Sequence, residues 1–254
     1  MQPGLTFAGR VLAVVILVLA YYGLVVQRIG DYPARFLLPI AIDRFHVAQR
    51  YSAEELDSML RLFIAGVMQL IFCCILIMLA GIDPMNLIPH NFEPVLVVYG
   101  MLLGIAESAV GSFLAYRGIQ IAVKMDPKSV PCDESAWLTI SRGGWIRFFI
   151  KTSEAAPIWL ALLLATLYVS VEEIVFRGVL IDFLKQGGVM VALGGSVALF
   201  VVVQVFNMPS RYSAMFPVLG AVLIGIVHGS MYLAVPNLLP LIIAHMIFFV
   251  WSVL

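Results

Sequence analysis

Seven apolar stretches, near residues 8–27, 60–82, 94–116, 156–180, 188–207, 214–235 and 237–254, constrain this chain more than any other feature of its sequence. Each is close to the roughly 20 residues that a helix needs to cross some 30 Å of hydrocarbon. Backbone N–H and C=O groups in lipid must be paired within their own segment, so a series of such stretches folds as a bundle of helices. The balance of residues agrees, with 62% hydrophobic and 12% charged, where soluble domains have about a quarter charged. The expected fold is all-α: a polytopic transmembrane helical bundle of about seven spans, integral to the membrane and multi-pass. The first run follows Arg10 as a signal peptide would, but no small-residue cleavage site precedes Tyr21-Tyr22, and it reads as a retained span.

The charges orient the bundle. Arg28, Arg35, Arg44, Arg50 and Arg61 separate the first two spans, and Lys124, Lys128, Arg142, Arg147 and Lys151 separate the third from the fourth. By the positive-inside rule both loops are cytoplasmic, which sets the amino terminus outside and the carboxyl terminus inside. The 83–93 loop, with Asp83 and Glu93 but no Lys or Arg, agrees with that, and Lys185 alone runs against it. Net charge is zero and the basic residues are scattered, so no nucleic-acid partner is expected. Cys73 and Cys74 are adjacent in a span and Cys132 stands in a loop, which gives no disulfide framework.

Several local signals add detail. Ser52-Ala-Glu-Glu55 has the capping-box spacing, so the second helix is predicted to begin before the membrane does. The segment Trp137 to Phe149 mixes aromatics with Arg142 and Arg147, as an interfacial helix on the cytoplasmic leaflet would, serving as an anchor or a gate. Gly100, Gly104, Ser108 and Gly111 in the third span, and Gly225 and Gly229 in the sixth, form small-residue stripes that admit a close neighbour. With no internal repeat, the chain reads as one membrane domain, with amino-terminal helices and cytoplasmic loops over 1–154 and four further helices over 155–254.

The chemistry lies in the few ionisable groups inside apolar runs, since each costs on the order of 2.5 to 3.5 kcal/mol to insert and is retained for a purpose. Residues 171 to 178 place Glu172, Glu173 and Arg177 at such depth, and Glu107 stands in the middle of the third span. Residues four apart share a helix face, so Glu173 is expected to pair with Arg177. Glu172 lies about 100° further round and is the candidate base. Gln204, His228 and His245 fall on three other spans at similar estimated depth, where they could converge with Glu172. A carboxylate to activate water and imidazoles to stabilise an oxyanion suffice for amide hydrolysis. Either histidine alone is better explained by a helix-to-helix hydrogen bond, and it is their combination with the acidic pair that points to function; His46 and His90, in loops, are assigned nothing. A catalytic zinc needs three protein ligands, and without a His-Glu-x-x-His motif His228, His245 and a Glu would have to converge, so no cofactor or metal is expected.

In order along the chain, Glu172-Glu173-Ile-Val-Phe-Arg177-Gly178, Phe200-Val-Val-Val-Gln204, the Gly225 to Tyr232 helix and His245-Met-Ile-Phe-Phe249 resemble the motifs of the CPBP intramembrane proteases. That family includes type II CAAX prenyl endopeptidases and bacteriocin-processing and immunity proteins. The resemblance covers about 155 to 254; the first three spans match only as apolar helices. It implies that Glu172 is the water-activating base, that His245 is catalytic or oxyanion-stabilising, and that Glu173 and Arg177 form a structural pair. It further implies a membrane-embedded or lipidated peptide as substrate and a bacterial or archaeal cell membrane as the setting.

The chain departs from the family pattern at Gln204, where a catalytic His is usual, and at Phe249, where an Asn or Asp is usual. An amide donates a hydrogen bond but does not shuttle a proton near neutral pH. His228 is the candidate to supply the missing imidazole. Three readings follow: an intramembrane endopeptidase, an impaired relative acting as an immunity or binding protein, and a small transporter. The last predicts repeated halves, which this sequence does not display.

Overall fold

In the computed structural model, residues 6–29, 31–44, 50–88, 93–126, 143–144 and 146–253 are described, together with Trp137 and Ile140. Every regular element among them is helical. Helix α1 (Phe7–Ala20) is capped by Thr6 and runs on through a π-helical segment, Tyr21–Ile29. It is followed by α2 (Asp31–Arg44) and α3 (Ala53–Ala80). Both halves of the α3 capping box form: Glu55 N–H donates to Ser52 Oγ at 3.3 Å, and Ser52 N–H to Glu55 Oε2 at 2.7 Å. Helix α4 (Pro94–Met125) has proline at its first turn, where no backbone donor is missed. The remaining helices are α5 (Ile146–Ala155), α6 (Ile158–Glu173), α7 (Val189–Phe206), α8 (Arg211–Ala234) and α9 (Leu239–Val253). Helix α6 continues through a second π-helical segment, Ile174–Ile181.

Six helices among the described residues are long and apolar enough to cross a membrane, and α9 is an apolar helix shorter than those six. The bundle is therefore polytopic and all-helical, with α9 as the short seventh member. Helix α4 has 32 residues, reaching Met125 rather than stopping near 116.

Side-chain contacts show which ends share a face. The Arg10 guanidinium donates to the Ala80 carbonyl at 2.8 Å, joining the start of α1 to the end of α3, and Tyr232 donates to Asp182 at 2.9 Å on the same side. At the opposite end Lys151 pairs with Glu54, and Tyr212 donates to Asp126 at 2.8 Å. The described helix ends that flank the two basic loops thus lie on one side of the bundle. Much of the Trp137 to Phe149 segment lies outside the described residues, as do His46, His90, Lys128, Cys132 and Arg142. Of what is described, Trp137, Ile140, Gly143 and Gly144 precede α5, with Trp137 buried, and the remainder belongs to α5, whose Phe149 and Thr152 are buried.

Helices α4 and α9 pack with their backbones almost touching. A Cβ added at Gly100 would stand 2.6 Å from the Pro240 carbonyl oxygen, one at Gly104 2.7 Å from that of Ala244, and one at Gly111 2.6 Å from the Phe248 ring. The glycine stripe of the third span therefore receives the last helix, and this sets Glu107 of α4 at the level of His245 on α9. Gly225 and Gly229 of α8 face Val197 and Leu193 of α7.

Candidate active site

The polar centre grows from the junction where α6 gives way to its π-helical turn, a kind of irregularity that is rare and concentrated at functional sites. Glu173 is fully buried and makes three contacts there. Arg177 Nε lies 3.3 Å from its Oε2, His228 Nδ1 lies 3.1 Å from the same oxygen, and His245 Nδ1 lies 2.6 Å from Oε1. On its other side His228 places Nε2 3.2 Å from Glu107 Oε2. One chain of contacts therefore ties α4, α8, α6 and α9 together. The Arg177 guanidinium, 1% exposed, also sits over the Phe200 ring at 4.4 Å. Isolated charges at this depth would be costly, and a carboxylate flanked by cationic and hydrogen-bonding partners offsets much of that cost.

Glu172 has different surroundings. It opens on a cavity of about 500 Å³ whose lining also includes Gln204 and His245. The Gln204 amide is within hydrogen-bonding reach of its carboxylate. The other walls are mostly apolar, with Tyr116 from α4, Phe216 and Pro217 from α8, and Phe248 and Trp251 from α9. A larger hollow of about 570 Å³, lined by Leu162, Met246, Ile247, Val250 and Trp251, contains no ionisable group and so no means of catalysing hydrolysis.

Of the residues singled out by sequence, Glu172, Gln204 and His245 therefore meet at one cavity, and Glu173 and Arg177 form an ion pair behind it. His228 does not join them. It is fully buried, is not part of the cavity wall, and has both ring nitrogens turned to carboxylates. It cannot present the free imidazole nitrogen that replacing the missing family histidine requires. Phe249 lines the cavity and sets its ring edge against Phe149, with centroids 4.9 Å apart. Among the described residues no three His, Cys, Asp or Glu side chains are grouped to hold a metal.

Sequence reasoning gave Glu107 no partner and overlooked the tyrosines. Tyr21, Tyr22 and Tyr168 all lie within electrostatic reach of Glu172, and Tyr168 is hydrogen-bonded to Asn207. Tyr168 is readable in retrospect, since it precedes Glu172 by one helical turn. Tyr21 and Tyr22 come from a helix about 150 positions earlier in the chain, and no local pattern announces them.

Residues 154–251 match the model of a family described as type II CAAX prenyl endopeptidase Rce1-like. The matched segment contains Glu172, Glu173, Arg177, Gln204, His228 and His245, and leaves out Glu107 and the tyrosine pair at 21–22. No curated protein and no solved structure matches the chain.

Proposed function

We propose that this chain, whose residues 154–251 match the type II CAAX prenyl endopeptidase Rce1-like family model, is an intramembrane endopeptidase that cleaves a membrane-embedded or lipidated peptide with water activated by Glu172. The observation that carries this reading is the placement of Glu172. It is the acid of the pair that, among the described residues, has no cation at hydrogen-bonding distance, and it opens with Gln204 and His245 on a largely apolar cavity. Such walls suit a lipid chain or an extended apolar peptide.

In the proposed reaction Glu172 takes a proton from water as the water oxygen bonds to the peptide carbonyl carbon. The carbonyl oxygen becomes an oxyanion that a side-chain N–H can stabilise. The proton passes to the leaving nitrogen as the C–N bond breaks, which restores the carboxylate. No metal or cofactor is required by this scheme.

The test is cleavage of an internally quenched peptide carrying a farnesylated cysteine, by purified protein in lipid nanodiscs. Glu172→Gln should lower kcat roughly 10²- to 10⁴-fold, the usual contribution of a general base. Cleavage that persists undiminished in that variant would remove Glu172 from the mechanism.

One observation favours a second reading. Phe249 presents an aromatic ring where the resembling proteases present an amide or carboxylate. A cavity that binds the farnesylated peptide but never cleaves it would identify a binding or immunity protein built on the same bundle.

A further inference from the structure

The Glu107–His228–Glu173–His245 chain contains more hydrogen-bond logic than an inert brace needs. His245 Nδ1 is 2.6 Å from Glu173 Oε1, and an ionised carboxylate only accepts, so Nδ1 carries the hydrogen. A neutral imidazole has one N–H. Its Nε2 is then a lone pair, and it is the nitrogen left for the cavity that the ring lines.

His228 fixes the rest of the charge distribution. Both of its nitrogens face carboxylate oxygens, at 3.1 Å and 3.2 Å. A single ring hydrogen would leave the other lone pair against a carboxylate, so the Glu107–His228 pair holds one additional proton. Two carboxylates, Glu107 and Glu173, are then balanced by that proton and by Arg177. Those groups are closed in charge among themselves with His245 neutral, and Glu172, the reacting carboxylate, stands outside them on the cavity wall.

We infer that Glu107 and His228 are positioning residues for the site: through Glu173 they hold His245 as a neutral imidazole whose Nε2 accepts a hydrogen bond from the attacking water, which leaves the oxyanion to the Gln204 amide. This rests on the hydrolase reading. It exchanges the roles that family resemblance implies. His245 becomes an acceptor that orients water toward Glu172, and Gln204, which can donate but cannot shuttle a proton, takes the oxyanion. The water then gives one O–H to Glu172, where the proton transfers, and the other to His245, where it stays on the water oxygen. The charged groups in contact with His245 or one step behind it are Glu173 and Arg177 from the α6 segment, His228 from α8 and Glu107 from α4. The Phe200 ring stands edge-on to it at 6.1 Å.

Protein labelled with ¹⁵N in its histidines, held in nanodiscs, reports the tautomer directly by solid-state NMR. The wild-type spectrum should give His245 a protonated Nδ1 and an unprotonated Nε2, assigned by the loss of those signals in His245→Gln. In His228→Phe the Glu173 carboxylate loses the donor that fixes its rotation and can turn away from His245 Nδ1, so His245 should show both tautomers and kcat on the farnesylated peptide should fall roughly 10- to 100-fold, as when a partner that orients a metal-bound imidazole is removed, with KM unchanged. His228→Gln, whose amide N–H can still donate to Glu173, should restore the single tautomer and most of kcat. A protonated Nε2 in the wild type, or an unchanged tautomer in a folded His228→Phe, overturns the inference. If His228→Phe does not fold, the wild-type spectrum decides by itself. If the wild type binds the peptide and never cleaves it, the hydrolase reading fails while the spectrum still decides the tautomer.

Discussion

Glu172 and Glu173 are neighbours in sequence, yet they occupy opposite kinds of surroundings. Glu173 is enclosed by Arg177, His228 and His245, with the Glu107 carboxylate one contact further on. Glu172 faces a cavity, the neutral Gln204 amide and nearby tyrosines. About 100° of helical rotation separates the two side chains, and that step carries one into the packed centre and the other to its open edge. The lesson is that a buried carboxylate is made structural or reactive by what its helix face meets.

The largest test of this contrast is Arg177→Met. It strips the cation from Glu173, and breaking a buried pair from one side costs about 3–5 kcal/mol. Unfolding in detergent should register that loss and should show a much smaller one for Glu172→Gln, since the Glu172 carboxylate forms no ion pair among the described residues. Equal destabilisation by the two variants would erase the distinction between the acids. Gly104→Ala comes next. Its Cβ would meet the Ala244 carbonyl oxygen at 2.7 Å, so α9 must move, and overpacking of this kind costs about 1–3 kcal/mol. Because His245 follows Ala244, peptide cleavage should fall further than stability alone explains. The smallest effect is expected from Ser52→Ala, far from both acids, which removes one half of the α3 capping box and should cost about 1 kcal/mol with kcat unaltered.

Much of this was legible before any coordinates. The apolar runs predicted the helices closely, because the pairing demands of a backbone in lipid leave few alternatives. The capping box at Ser52 and the Glu173–Arg177 spacing were readable because both are contacts within one turn. The glycine stripe of α4 was readable as a packing face, although its partner was not. His228 was the instructive miss. Its position in the chain suits a replacement imidazole, and only its two carboxylate neighbours, 55 and 121 positions away in sequence, show that neither nitrogen is free. The π-helical turn after Glu173 was likewise unreadable, since the sequence of α6 is continuous with an ordinary span.

By itself the sequence determined an all-helical membrane bundle, a carboxyl-terminal region similar to the type II CAAX prenyl endopeptidase family and a short list of polar residues at membrane depth. These depend on composition, on local spacing and on a solvent that forbids unpaired backbone. The tertiary structure alone decided which of those residues share a cavity and which spend their hydrogen bonds on one another. That outcome depends on how α4, α6, α8 and α9 rotate and approach, and helices smooth enough for Gly104 to touch Ala244 can dock in many registers until the whole bundle selects one.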